Sequence, residues 1–170
     1  MKISCERLTS WKLVKQLALT TVSKTSDIEP SSSWKKSILD CEHSPIRALL
    51  FRVRISDIPY FVSVHLARHK IGVEHFVSTQ RTDRTGEDRN AKRQDAPVTH
   101  EMIINAAALI NMSRKRLCNL ADPMTREIWQ SVKNEIAAIG EKEMSDAMKS
   151  ECKYRGACHE MKPCKKSLQA

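Results

Sequence analysis

Arg68-His69-Lys70-Ile71-Gly72-Val73-Glu74-His75-Phe76-Val77-Ser78-Thr79-Gln80-Arg81 is the stretch on which the reading of this chain turns. Three basic side chains close one helical segment, and residues 73–80 then read as a strand. Its Arg, His, Lys, Ser and Thr side chains offer many donors to phosphate oxygens. By composition alone, the same charges also suit a solvated helix end, where cations are favoured by the helix dipole.

Outward from this stretch the pattern is α+β, with few strands and several helices. Upstream, residues 60–67 supply an apolar helical face, with Asp57 as the expected N-cap and Pro59 tolerated in the first turn. Residues 49–55 alternate, Leu49, Phe51, Val53 and Ile55 against Arg52 and Arg54, which predicts a half-buried strand with a basic outer face. Further upstream, residues 11–22 have helical spacing, residues 25–33 form a Ser/Pro loop, and residues 34–39 suit a short helix before the turn at Ser44-Pro45. Downstream, residues 81–95 are polar, mixed in charge and contain Gly86, so a mobile loop is expected. Asn105 is placed to cap a helix over 106–120 with Leu109, Ile110, Met112 and Leu117 in the core. Asp122-Pro123 restarts a helix, an N-cap aspartate followed by proline at the first helical position. The three tryptophans, Trp11, Trp34 and Trp129, are expected as core or interface anchors.

The chain has 170 residues, 41% of them hydrophobic, enough for one core and one ordinary domain. Lys and Arg number 29 against 20 Asp and Glu, and the net charge of +9 favours phosphate-bearing partners, polymeric or small. Only 5% of residues are aromatic and only four are glycine, which argues against a glycine-punctuated β-barrel and against a base-stacking platform. No apolar run reaches a membrane-spanning length and the N-terminus has no signal-peptide pattern, so a cytoplasmic protein is expected. In that setting the six cysteines are expected as thiols or metal ligands. Cys118 reads as a buried structural thiol. Cys152, Cys158, His159 and Cys164 have the ligand types for zinc, but not the usual Cys-x2-Cys spacing. An intersubunit or tail-docking thiol cluster, free thiols, and a basic tail contacting phosphate or nucleic acid are the other readings of this segment.

The order of residues narrows the choice. The stretch 68–81 resembles the signature Arg-His-Arg-x-x-Ser-x-Asn-Glu-x-Ser-x-Arg of the flavin-dependent thymidylate synthases, the ThyX family. Three further features occur in the family's order: His43-Ser44-Pro45, Arg93-x-x-x-Pro97, and Asn105-Ala106-x-x-Leu109-x-Asn111 followed by Arg116. The resemblance spans residues 43–128. It implies a small antiparallel sheet packed with helices, residues 1–150 forming the catalytic domain and residues 151–170 a basic, cysteine-bearing tail. It also implies FAD as cofactor, NADPH and methylenetetrahydrofolate as co-substrates, dUMP as substrate, dTMP as product, and a homotetramer.

Carried over by position, the resemblance assigns Ser44, Arg68, His69, Lys70, His75, Asn105 and Asn111 to the flavin. It assigns His65, Arg68, Ser78, Thr79, Gln80, Arg81, Arg93 and Arg116 to dUMP. Arg116 would be the catalytic residue, holding the uracil ring while C5 becomes nucleophilic; a guanidinium keeps its charge and grips a planar edge with two bonds. In this chemistry the cofactor does the bond-making, so no nucleophilic triad is needed.

The chain also departs from the family. Lys70 replaces the second arginine, Gly72-Val73 lacks the serine, and His75-Phe76 stands in place of Asn-Glu. The 78–81 spacing has one residue too many, which on a strand requires a bulge or a change of face. The connection from Arg81 to Arg93 is much shorter than the family's central helical segment. Two other functions are compatible with the sequence: a related enzyme modifying C5 of a pyrimidine nucleotide, for example by hydroxymethylation, and a nucleic-acid-binding module. The cancelling charges of residues 83–92 make the latter the weaker of the two.

Overall fold

The computed structural model describes residues 1–164. Its centre is a four-stranded antiparallel sheet in the order β1-β2-β4-β3, formed by β1 (Lys2–Arg7), β2 (Leu50–Pro59), β3 (Val73–Val77) and β4 (Pro97–Asn105). Eight α-helices accompany it among the described residues: α1 (Trp11–Thr20), α2 (Ser32–Asp40), α3 (Tyr60–Ala67), α4 (Thr82–Thr85), α5 (Ala106–Arg116), α6 (Pro123–Ala138), α7 (Lys142–Ala147) and α8 (Glu151–Arg155). The fold is α+β, as the sequence pattern predicts. None of these helices is long and apolar enough to cross a membrane.

The alternation read in residues 49–55 is the core of β2. Phe51, Val53 and Ile55 are fully buried, while Arg52 and Arg54 lie on the outer face and both pair with Glu101 of β4. The strand runs on to Pro59 through an irregularity between Ile55 and Ile58, where Asp57 adopts φ +59°. Asp57 is therefore part of a bulge and does not cap α3. The first N–H groups of α3 are satisfied by backbone instead: Tyr60 donates to Ala96 O at 3.0 Å and Phe61 to Gln94 O at 3.0 Å.

Two strands are additions to the sequence reading. In β4 the inward residues are Val98, His100, Met102 and Ile104; a histidine in this row masks the apolar alternation. In β1 only Cys5 is buried, so the strand has no hydrophobic signature of its own and exists by pairing with β2. Burial also pushes the Cys5 thiol up to about 12, with Glu135 adding to the shift, so Cys5 behaves as a small apolar side chain.

The helix caps follow the sequence. Asn105 accepts from Ala108 N and Asp122 from Thr125 N, each at 2.9 Å, and Pro123 opens α6. Helix α5 ends at Arg116, earlier than the expected Leu120, and a tight turn links it to α6. That turn leaves Cys118 half-buried, where a buried thiol was expected; Leu120 N donates to its Sγ. Trp11 and Trp129 are fully buried, and Trp129 Nε1 donates to Ser113 Oγ at 2.9 Å. Residues 81–95 contain α4 and a 3-10 turn, Arg89–Ala91, and this is the whole helical content between β3 and β4. Residues 151–160 lie against α5. The Tyr154 ring sits 3.8 Å from the Arg114 guanidinium, and Lys115 pairs with Glu160 at 3.0 Å.

Candidate active site

The chain reversal between α3 and β3 builds the centre of the site. Arg68 ends α3, and Gly72, at φ +75°, turns the chain into β3. Asn105 N donates to Gly72 O at 2.9 Å, tying the turn to the start of α5. A Cβ on Gly72 would lie 2.5 Å from Asn105 Nδ2, and Asn105 caps α5. Gly72→Ala should therefore add left-handed backbone strain and disturb a cap, lowering stability by roughly 2–3 kcal/mol in urea unfolding. Gly86→Ala, with φ +74° but open space around it, should lose only about 1 kcal/mol.

Arg116, the last residue of α5, reaches this reversal from the opposite side. Its Nε donates to His69 Nε2 at 3.0 Å and its Nη2 donates to His65 O at 2.5 Å. One side edge of the guanidinium is thus fixed by protein. The end edge, Nη1 with the second Nη2 proton, has no hydrogen bond within the described residues. Burial lowers the Arg116 pKa from its ordinary value, and the like charge of Arg68 lowers it further. None of Arg68, Lys70 and Arg116 has a carboxylate ion-pair partner among the described residues. His69, half-buried, is held down to about 4 by burial, then by Arg116 and His75. As an acceptor from Arg116 it carries its proton on Nδ1.

His65 is oriented from α6. Its Nδ1 lies 2.9 Å from Thr125 Oγ1, and the Thr125 hydroxyl donates to Asp122 Oδ1 at 3.1 Å. With that hydroxyl proton committed, His65 donates through Nδ1 and leaves Nε2 without a hydrogen-bond partner among the described residues. Hydrogen bonds from the Thr125 backbone lead in holding the Asp122 carboxyl below the usual carboxylate range.

The other expected substrate residues gather elsewhere. Ser78, Thr79, Gln80, Arg81 and Arg93 line one cleft of about 390 Å³, together with Arg89 and Lys92, which the sequence reading left on a solvated loop. Just beyond β3, Ser78 donates its N–H to Thr99 O at 2.9 Å, and its side-chain Oγ accepts from Thr99 N at 3.0 Å. Thr79, Gln80 and Arg81 then lie beyond the strand's end at Val77, so the extra residue of the 78–81 spacing needs no bulge in β3. Arg81 makes a two-bond pair with Asp83, at 2.9 and 2.7 Å, and Arg93 pairs with Asp95 at 3.0 and 3.2 Å. Neither His65 nor Arg116 lines this cleft.

The expected flavin residues are dispersed over the fold. Arg68, His69 and Lys70 share the reversal, with Asn105 beside Gly72. Asn111 is exposed on α5 and accepts from Arg114, which also pairs with Glu42. Ser44 is exposed at the start of a 3-10 turn. Both ring nitrogens of His75 are engaged inside the protein, with His100 and with His69 O. Among the described residues, no group of three His, Cys, Asp or Glu side chains has the arrangement to hold a metal ion. Cys152, Cys158 and Cys164 line a groove beside α6, while His159 is exposed.

Ser63 and Thr125 are the residues that sequence reading did not single out, and neither carries a local signal; His100, which by sequence is a lone histidine suited to a hydrogen-bonded structural place, has that place here.

No family model matches this chain, and no curated protein matches it. Solved structures do. A Helicobacter pylori flavin-dependent thymidylate synthase ThyX, complexed with FAD and dUMP, superposes with a TM-score of 0.70 at 13% identity, covering 88% of this chain and 100% of that one. A second structure of that H. pylori enzyme with FAD and dUMP gives 0.71. A UMP/dUMP methylase PolB from Streptomyces cacaoi, bound with 5-Br dUMP, gives 0.58 at 13% identity, covering 86% and 94%. This is a likeness of fold, and the α+β fold of this chain is that of the ThyX thymidylate synthases.

Proposed function

We propose that this chain is a flavin-dependent thymidylate synthase, an enzyme that converts dUMP to dTMP with FAD, NADPH and methylenetetrahydrofolate. The observation that carries the reading is the meeting of Arg116 with His69 and the His65 carbonyl, in a fold shared with enzymes solved with dUMP or its bromo analogue.

The residues present suit an anionic flavin. Arg68 and Lys70 are exposed cations without a carboxylate partner among the described residues, at the turn beside Arg116. They are the groups that would hold the flavin phosphates. When bound, reduced flavin supplies the hydride and relays the one-carbon unit to C5.

The protein's part is orientation and charge. The end edge of Arg116 is the group that would donate both its N–H groups to a uracil carbonyl oxygen and stabilise negative charge as C5 becomes nucleophilic. Its side edge, fixed to His69 and His65 O, sets the direction in which that fork points. Ser78, Arg81 and Arg93 are candidates for the dUMP phosphate. To bind it Arg81 and Arg93 would exchange Asp83 and Asp95 for phosphate oxygens, within one chain or toward a neighbouring subunit of the proposed homotetramer. Residues 151–170 are then an appendage to a catalytic unit of residues 1–150.

The test is the absorption spectrum. Protein reconstituted with FAD should absorb near ~450 nm, as oxidised flavins do, change on addition of dUMP, and bleach with NADPH. Protein that neither retains nor takes up FAD would rule the reading out. A second reading, a related C5 modification such as hydroxymethylation, is favoured by the short β3–β4 connection and the likeness to a UMP/dUMP methylase. Mass spectrometry of the product separates the two, since only the first yields dTMP.

A further inference from the structure

Behind the reversal that carries His69 runs a chain of hydrogen bonds made by side chains that touch neither cleft. Ser63 Oγ lies 2.8 Å from His100 Nδ1. His100 Nε2 lies 2.9 Å from His75 Nδ1, and His75 Nε2 lies 2.6 Å from the carbonyl oxygen of His69. The three side chains come from three elements: Ser63 from α3, His100 from β4 and His75 from β3. His100 is fully buried and Ser63 nearly so.

The direction of every bond in this chain is fixed by its far end. A carbonyl oxygen can only accept, so His75 Nε2 carries a proton and donates to His69 O. In a neutral His75, Nδ1 is then an acceptor, which requires His100 to donate from Nε2. His100 Nδ1 is consequently an acceptor and receives the Ser63 hydroxyl proton. His69 is the complement: its Nε2 accepts from Arg116, so its proton sits on Nδ1. Burial, and then the neighbouring His75, hold His100 down to about 4, which agrees with a neutral His100 ring.

We propose that His75 and His100, backed by Ser63, are positioning residues for the His69–Arg116 pair; the role in turnover rests on the function proposed above. The chain fixes the His69 peptide from the sheet side, while Arg116 fixes the His69 ring from α5. If the carbonyl loses its donor, the peptide between His69 and Lys70 is free to rotate, and the ring leaves Arg116 Nε. The inward row of β4 is otherwise Val98, Met102 and Ile104, so an apolar side chain at position 100 would satisfy packing. A buried polar side chain in such a row needs a partner, and here the partners form one continuous line to the site.

The test uses the full chain labelled with 15N-histidine, observed in long-range 1H–15N spectra near pH 7.5. His75 and His100 should appear as Nε2–H tautomers and His69 as the Nδ1–H tautomer. His100→Val should shift the His69 ring signals and should lower kcat roughly 10- to 100-fold with KM little changed. His100→Gln, whose amide replaces the Nε2 donor, should recover the His69 signals and most of kcat. Ser63→Ala, a mild change on α3, should shift the His100 Nδ1 signal while leaving the Nε2–H tautomer that the His69 carbonyl sets, a readout that stands even if His100→Val fails to fold. The proposal is overturned if wild-type His75 or His100 shows the opposite tautomer or the averaged signals of an exposed ring. It is also overturned if His100→Val leaves the His69 signals in place, or if kcat is unchanged in an active enzyme. A protein with the expected tautomers that never turns over dUMP would refute the proposed function and leave the hydrogen-bonded chain standing.

Discussion

Under the proposed function, Arg116→Ala will reduce dTMP formation by about 10²–10³-fold, an effect expected mainly in kcat. That is the magnitude seen when one preorganised donor to developing negative charge is removed. Two features make this residue the most sensitive one. Its end edge is open while its side edge is fixed at 3.0 Å to His69 and 2.5 Å to His65 O, so its direction is set before substrate arrives. Its charge is partly buried and lies near Arg68, which raises its effect on an anion entering the same space. Arg116→Lys will not rescue turnover, because an ammonium keeps the charge but cannot supply the fixed two-donor fork. Loss of the side-edge contacts will lower stability by only about 1–2 kcal/mol, since both acceptors are partly exposed to water. Steady-state kinetics and urea unfolding of the two variants check the prediction together. A variant that is folded and retains turnover within tenfold would remove Arg116 from the reaction.

The second large effect is on stability below neutral pH. The His100 pKa is lowered from an ordinary 6.5 to about 4, by burial first and His75 second. The unfolded chain therefore binds a proton in this window that the folded chain excludes. The sign follows: the contribution is fully present above about pH 6.5 and is lost as pH falls from there toward about 4. For a fully buried ring, the full loss is on the order of 2–3 kcal/mol. His69, also lowered to about 4 but half exposed, adds a smaller loss of the same sign. Urea unfolding at steps from pH 7.5 to 5 reads this before most carboxylates begin to protonate. His100→Gln should flatten the slope, because glutamine does not titrate. Equal stability at both ends of the range in the wild-type chain would contradict a buried neutral His100.

Some of this was legible in the sequence because it is local. A proline after an aspartate, and an asparagine before an apolar helical run, determine helix starts through atoms three or four residues away, and Asp122 and Asn105 both cap as read. Phe51, Val53 and Ile55 declare β2 by alternation alone. Asp57 misled for the same local reason. It looks like a cap, but the N–H groups it would have served are taken by the carbonyls of Gln94 and Ala96, far away in sequence.

The sequence by itself determined the five longer helices, the central strand, the fold class and the residue types of the basic reversal at 68–72. Only the tertiary structure decided which of those residues meet. Strand β1 exists because β2 supplies its hydrogen bonds, and β4 escaped notice because its inward row includes a histidine. The Arg116–His69 bond joins residues 47 positions apart, and the His100–His75 bond joins residues 25 apart. No periodicity encodes such pairs. They arise when the sheet order places β4 beside β3 and the close approach of Gly72 to Asn105 brings the reversal against α5. A histidine's proton is then assigned by whichever carbonyl or guanidinium the fold sets beside it, which is a property of the packed chain alone.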